Sequence, residues 1–247
     1  MDAIRRVTTH AANIFLANLH SLHPRICSLC GEPQAGRAFC HWCVQSLPGL
    51  DRVRCLSCAA PVSAPLSVSL GRCKHCRERA WAPDRSLTLA DYAMPVDRLI
   101  LSAKHHGQPQ LMTSAAHTLA KKVRSKLPIP AWPDLVIPVP LNTARLRYRG
   151  FNQSALIARV LARQWQIQLS LDALIRLRNT QPQQSLARRE RHRNLANAFA
   201  CRSDLTGKRI LLTDDVMTSG ATIHWAAVAL RAAGASSVTA VTLARTP

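Results

Sequence analysis

The chain has 247 residues, enough for one or two domains, and its apolar content of 47% is sufficient for a globular core. A formal net charge of +20, from 33 Lys and Arg against 13 Asp and Glu, points away from cationic ligands and toward polyanions such as nucleic acid, pyrophosphate or anionic lipid. No stretch has the length and apolarity of a secretory or membrane-spanning segment, so a cytoplasmic protein without stable membrane insertion is expected.

The first 24 residues place Ile4, Val7, Ala11, Ile14, Phe15 and Leu19 on one side of a predicted amphipathic helix. Residues 25–80 then hold eight of the nine cysteines in four Cys-x2-Cys pairs: Cys27 and Cys30, Cys40 and Cys43, Cys55 and Cys58, Cys73 and Cys76. Each pair aims two thiolates at one cation, and two pairs complete an all-thiolate tetrahedral zinc site with no open position for water. Two structural Zn2+ sites are expected, the simplest pairing joining neighbours, although spacing leaves interleaved pairing open. Disulfides would need an oxidising compartment, and a redox Cys-x2-Cys normally occurs once, beside a βαβ unit. His41 and His75 are expected at the surface rather than as ligands, and Cys201 as a buried or incidental thiol. So small a module has little core of its own, so metal would be what folds it.

From residue 84 the pattern becomes that of an α/β domain reaching residue 247. Strands are expected at 87–92, 134–140, 174–177 and 238–243, and helices at 96–104, 111–126 and 152–164. Lys104 closes the first of these helices. Residues 141–149 read as a loop carrying Arg145, Arg147 and Arg149, whose guanidiniums suit bidentate phosphate contacts. The stretch 176–197 is rich in Arg and Gln and poor in large apolar residues, which predicts a segment that orders only on meeting an anion.

The most informative stretch is 209–222, RILLTDDVMTSGAT. Ile210, Leu211 and Leu212 form a doubly buried strand, closed by Asp214 and Asp215. Thr218, Ser219, Gly220, Ala221 and Thr222 then offer hydroxyls and backbone N–H groups at the start of a helix, with Gly220 permitting close approach. A ribose 5-phosphate needs both: acceptors for its 2′- and 3′-hydroxyls, and an amide cradle for its phosphate. The plainer alternative is a polar turn followed by an ordinary helix cap.

This stretch resembles the phosphoribosyl pyrophosphate (PRPP) signature of type I phosphoribosyltransferases, with Ser219 where Thr is usual and Thr213 where an aliphatic residue is common. Together with the four cysteine pairs and the Arg149-Gly150-Phe151-Asn152-Gln153 segment, the whole chain resembles the ComF family of competence-associated proteins. The resemblance implies a parallel α/β sheet of the type I phosphoribosyltransferase kind, preceded by a small double zinc ribbon. It implies PRPP with Mg2+ as ligand, a pyrophosphate loop at Arg145, Arg147 and Arg149, and a phosphate contact from Lys104, although His replaces the family's aromatic after that lysine. Gln183, Leu186, Arg191, Asn194, Ala198 and Phe199 fall on a pattern of the same family, at the place of the flexible catalytic loop, which makes Arg191 a catalytic candidate beside Asp214 and Asp215. Single-stranded DNA and other competence proteins are the implied partners. Two functional expectations follow: transfer of ribosyl phosphate from PRPP, or a single-stranded DNA-binding module whose PRPP pocket is regulatory or vestigial. A PRPP-binding regulator without turnover is a third.

Overall fold

A computed structural model describes residues 25–34, 36, 38–62, 71–78, 80–127, 132–178 and 195–247. The expected helix over the first 24 residues, and the segment 179–194 with Gln183, Leu186, Arg191 and Asn194, lie outside the described residues.

Turns dominate the front of the chain. β1 (Arg25–Ile26) and β2 (Pro33–Gln34) form a short antiparallel ladder, and α1 (His41–Gln45) and α2 (Lys74–Glu78) each carry the last cysteine of a pair. The α/β part follows in the order β3 (Arg85–Asp91), α3 (Val96–His105), α4 (Pro109–Arg124), β4 (Leu135–Pro138), α5 (Thr143–Arg149), α6 (Gln153–Trp165), β5 (Gln168–Leu169), β6 (Leu174–Arg176), β7 (Phe199–Cys201), β8 (Arg209–Met217), α7 (Ala221–Ala232) and β9 (Ser237–Arg245). Five strands make one sheet in the order β3-β9-β8-β4-β5, and every pairing in it is parallel.

Parallel strands are covered on both faces, which is why these strands read as apolar runs rather than alternating ones. Val136, Leu211, Val241 and Leu243 face one core with Leu119 of α4 and Ile157 and Leu161 of α6. Ile137, Ile210, Leu212 and Ala240, one residue out of step, face a second core with Ile223, Ala227 and Leu230 of α7. At the start of β8, Arg209 donates from its backbone N (2.8 Å) and Nε (3.0 Å) to Asp134 Oδ2, and from Nη2 (2.6 Å) to Oδ1. These three hydrogen bonds, the side-chain ones foremost, hold the Asp134 carboxyl down at about 2.

Three expectations change. Residues 143–149 are a helix rather than a loop, because Asn142 caps it by accepting from Ala144 N (2.9 Å) and Arg145 N (3.4 Å), and Gly150, at φ +80°, ends it in the left-handed region. The strand after residue 209 does not close before the acids but runs through them to Met217. The 174–176 strand pairs antiparallel with β7, which sequence reading missed, in a ribbon separate from the main sheet.

The cysteine-bearing part is docked on the sheet rather than strung ahead of it. Cys27, Phe39 and Leu47 belong to the first core, and Phe39 N donates to Thr118 Oγ1 of α4 at 2.9 Å.

Leu211 is fully buried at the centre of the sheet, whereas Leu146 is 40% exposed. Leu211→Ala is expected to cost about 2–5 kcal/mol and Leu146→Ala less than about 0.5 kcal/mol, as read by urea unfolding.

Candidate active site

Where β8 outruns β4, a cleft opens. β4 pairs with β8 only as far as Thr213, opposite Pro138, whereas β9 stays paired with β8 through Met217, opposite Arg245. The chain leaves β4 toward β5 on one side, while β8 continues to β9 on the other, so the gap lies at a topological switch point at the carboxyl ends of the strands. The cleft has a volume of about 550 Å³, within the usual range for a small-molecule site.

Asp214 and Asp215 project into it from β8, Lys104 and Tyr92 border it from the β3 side, and Arg145 and Arg149 from α5. Thr218 and Thr222 line its far end, and Ser219, Gly220 and Ala221 line a small adjoining recess. The acidic pair, the hydroxyl loop, Lys104, Arg145 and Arg149 are thus brought together. Arg147 is not: it is exposed, half a helical turn from its neighbours, because a helix turns alternate residues to opposite sides. Arg191 lies outside the described residues.

Each acid is held by a different set of partners. Asp214 Oδ1 accepts from Ser154 Oγ at 2.7 Å and from the backbone N of Asp215 at 2.9 Å. Ser154 is placed for this by Asn152, whose Oδ1 caps α6 through Ser154 N (3.0 Å) and whose Nδ2 donates to Val139 O (3.0 Å) just beyond β4. The Arg149-Gly150-Phe151-Asn152-Gln153 segment therefore does local structural work: a helix stop at Gly150, then a cap that ties the end of β4 to α6. Asp215 Oδ1 accepts from Val216 N at 2.8 Å, and its Oδ2 is 2.5 Å from Lys104 Nζ in a largely buried ion pair. Lys104, expected as a phosphate contact, is here the counter-ion of an acid. Its position is secured by Arg149, whose Nε donates to Lys104 O at 3.1 Å.

Two members of the site were not singled out from the sequence. Ser154 had no signal beyond its place after the Asn152 cap. Arg176 lines the cleft and lies over the Phe199 ring at 5.6 Å, and its signal was a charge inside a short strand. Burial lowers the pKa of both Arg149 and Arg176, opposed by Asp215 and Asp214 respectively. Among the described residues, Lys104, Arg145, Arg149 and Arg176 face two carboxylates, so the cleft carries excess positive charge suited to an anion.

The thiols form two groups: Cys27, Cys30, Cys40 and Cys43, and Cys55, Cys58, Cys73 and Cys76, each with its four Sγ atoms within 4.8 Å of one another. The grouping joins neighbouring pairs. The Cys30 to Cys40 Sγ distance is 3.7 Å and the Cys58 to Cys73 distance 3.8 Å, close to the roughly 3.8 Å edge of a tetrahedron with 2.3 Å Zn–S arms. Cys40 N donates to Cys27 Sγ (3.4 Å) and Cys73 N to Cys55 Sγ (3.2 Å), contacts that stabilise thiolate character. Both groups fit zinc. His41 and His75 belong to neither group, and Cys201 instead donates to Ser203 O.

A family profile described as "Phosphoribosyl transferase domain" matches residues 151–247. The chain is 33% identical to the DNA utilization protein YhgH of Escherichia coli O157:H7 over 229 residues, covering 90% of this chain and 98% of that one. It is 26% identical to competence protein F of Haemophilus influenzae over 236 residues, covering 92% of this chain and 93% of its relative. The chain belongs to the ComF family. Its α/β part is a phosphoribosyltransferase-type domain, and its cysteine-bearing part carries two four-thiol groups that could hold zinc. A solved purine phosphoribosyltransferase from Pyrococcus horikoshii Ot3 aligns with this ComF protein at a TM-score of 0.35 and 21% identity, covering 54% of this chain and 71% of that one. Among the described residues, no helix is long and apolar enough to cross a membrane.

Asp214 gives the site a pH signature. Burial, reinforced by the adjacent Asp215, pushes its carboxyl up to about 7, against the opposing Ser154 hydrogen bond. A raised folded-state value means the folded protein holds the proton more tightly than the unfolded chain. Stability should therefore fall as pH rises from the ordinary value of 3.8 to about 7, and level off above that. Asp214→Asn removes this slope while keeping an Oδ1 acceptor, and its melting-temperature advantage is expected to grow across the same window to on the order of 10 °C, read by thermal unfolding at a series of pH values.

Proposed function

We propose that this ComF protein binds PRPP with Mg2+ and transfers its ribosyl phosphate to a nucleophile. The observation that carries this reading is the convergence of the acidic pair, the 218–222 loop and the guanidiniums of α5 on one cleft. The 5-phosphate would occupy the small recess, where the start of α7 supplies N–H groups and Thr218, Ser219 and Thr222 supply hydroxyls. Asp214 and Asp215 would accept from the ribose hydroxyls, and Arg145 and Arg149, with Lys104, would hold the pyrophosphate. In the transfer step a bond forms between the acceptor and C1′ of the ribose while the C1′–O bond breaks, and the electron pair leaves with pyrophosphate. The excess positive charge of the cleft favours that departure. Mg2+, when bound, adds to this charge neutralisation, and the carboxylate oxygens of the acidic pair are donors suited to a hard cation. The two thiol groups would hold structural Zn2+, their four thiolates leaving no place for a water.

The reading extends to DNA handling, supported by relatives named for DNA utilization and for competence. A second reading, in which single-stranded DNA is the principal ligand and the PRPP pocket is regulatory or vestigial, is favoured by the net charge of +20 and by Trp42 and Tyr148, which are 76% and 84% exposed and available for base stacking.

Calorimetric titration of zinc-loaded protein with PRPP and Mg2+ should show binding that Asp214→Asn with Asp215→Asn weakens at least about tenfold. Absence of binding at millimolar PRPP would pass the lead to the DNA reading. In that case oligonucleotide affinity, measured by fluorescence anisotropy, should fall by about 10³-fold or more between 50 and 200 mM salt, as for a protein making six or more phosphate contacts.

A further inference from the structure

The carboxyl end of β9 carries a charged residue that the cleft does not use. Arg245 is 6% exposed, and its guanidinium reaches two parts of the molecule at once. Nε donates to Cys58 O at 3.0 Å, inside the second thiol group. Nη1 donates to Met217 O (3.1 Å) and Thr218 O (2.5 Å), the carbonyls that open the proposed phosphate loop, and to Thr246 O (2.6 Å). One planar cation therefore bonds a metal-site knuckle on one edge and the loop of the cleft on another.

A second contact joins the same two places. Trp81 packs against the second thiol group and also against the core beneath α7. Gly220 is at φ +79°, and a Cβ there would lie 2.3 Å from Trp81 Cη2, so the indole fills the space under the loop. The Trp81 ring also lies 5.7 Å from that of His224, in the first turn of α7, and His224 Nδ1 accepts from Ala82 N at 3.3 Å. The knuckle itself is fixed to the sheet, since Ser86 N of β3 donates to Leu56 O at 2.8 Å. In contrast, the first thiol group packs on α4, away from this loop.

We propose that Arg245 is a positioning residue that couples the second thiol group to the phosphate loop, so that metal in Cys55, Cys58, Cys73 and Cys76 sets the geometry of Thr218 to Thr222. With metal bound, the Cys55–Cys58 turn is rigid and its Cys58 carbonyl holds the guanidinium edge. The other edge then pulls the Met217 and Thr218 carbonyls to the back of the loop, while Trp81 supports Gly220. Loss of that metal frees the knuckle, and with it the loop. Coupling of this kind is reciprocal: an anion held by the loop must strengthen metal binding in the second group by the same factor. The ligand part of this inference rests on the PRPP reading, whereas the mechanical part does not.

The test uses full-length, zinc-loaded protein and three variants: Arg245→Met, Arg245→Lys and Cys73→Ser. Backbone amide exchange over 218–222 should rise about tenfold in Arg245→Met and in Cys73→Ser, with the amides of β4 and α6 unchanged, and Arg245→Lys should recover part of the protection. Arg245→Met is expected to retain both zinc ions, so its loosened loop would not reflect lost metal. Zinc release to a chromogenic chelator should slow for one of the two ions when PRPP is added to the wild type, and not in Arg245→Met. Loop exchange in Arg245→Met equal to wild type, or a uniform rise across the sheet, overturns the coupling. If the loop responds to Arg245 and to Cys73 but the wild type binds no PRPP, the PRPP reading fails and the coupling stands. If PRPP binds wild type and Arg245→Met alike, with the same zinc-release rates, the coupling fails and the PRPP reading stands.

Discussion

The architecture of the site depends on one inequality in strand pairing: β8 is hydrogen-bonded on both edges as far as Thr213 and only on the β9 edge from Asp214 onward. A backbone paired on both sides has no room for a ligand, and one paired on neither would not hold still. Asp214 and Asp215 fall where the strand is still rigid yet open toward the departing end of β4. This is why two acids sit inside a strand rather than in a turn, and why the cleft, α5 and α6 all start from the same corner.

Charge balance makes that corner receptive. Lys104 and Asp215 neutralise one another, Ser154 only partly offsets the burial that raises Asp214, and among the described residues the remaining guanidiniums carry more positive charge than the carboxylates can offset. A site of this kind is costly to the folded protein in the absence of an anion, since like charges are held together in a partly desolvated space. The expense is carried by two cores of tightly packed Leu, Ile, Val and Ala on either face of the sheet.

The cysteine-bearing part is less separate than its composition implies. One thiol group contributes to the main core through Cys27 and its neighbours Phe39 and Leu47, and the other meets the sheet through Ser86, Trp81 and Arg245. The thiol groups that could hold zinc are thus fastened to the α/β part, the first on α4 and the second on β3 and β9.

Much of this was legible in residue order. Four Cys-x2-Cys pairs imply tetrathiolate sites because the chemistry is local to each pair, and the run 209–222 announces strand, acids and hydroxyl-bearing loop because all three lie on one continuous segment. The longer helices were readable from periodicity and the central strands from their apolar runs for the same reason, whereas the short helix at 143–149 was not. What residue order could not decide was anything that depends on partners far along the chain. The cysteine grouping, the ion pair of Lys104 with Asp215 across 111 positions, Ser154 beneath Asp214, and the turning of Arg147 away from the cleft all follow from packing, capping and sheet register. β7, and with it the antiparallel ribbon it makes with the expected strand at 174–177, was missed because a three-residue strand carries too few residues to show a period. Arg245 was invisible for the plainest reason: among 33 basic residues, only burial between a thiol knuckle and a loop distinguishes it. The sequence by itself determined which chemical groups are present and which short segments carry them; the tertiary structure decided which of them meet, because contact between distant residues depends on how strands end and helices pack.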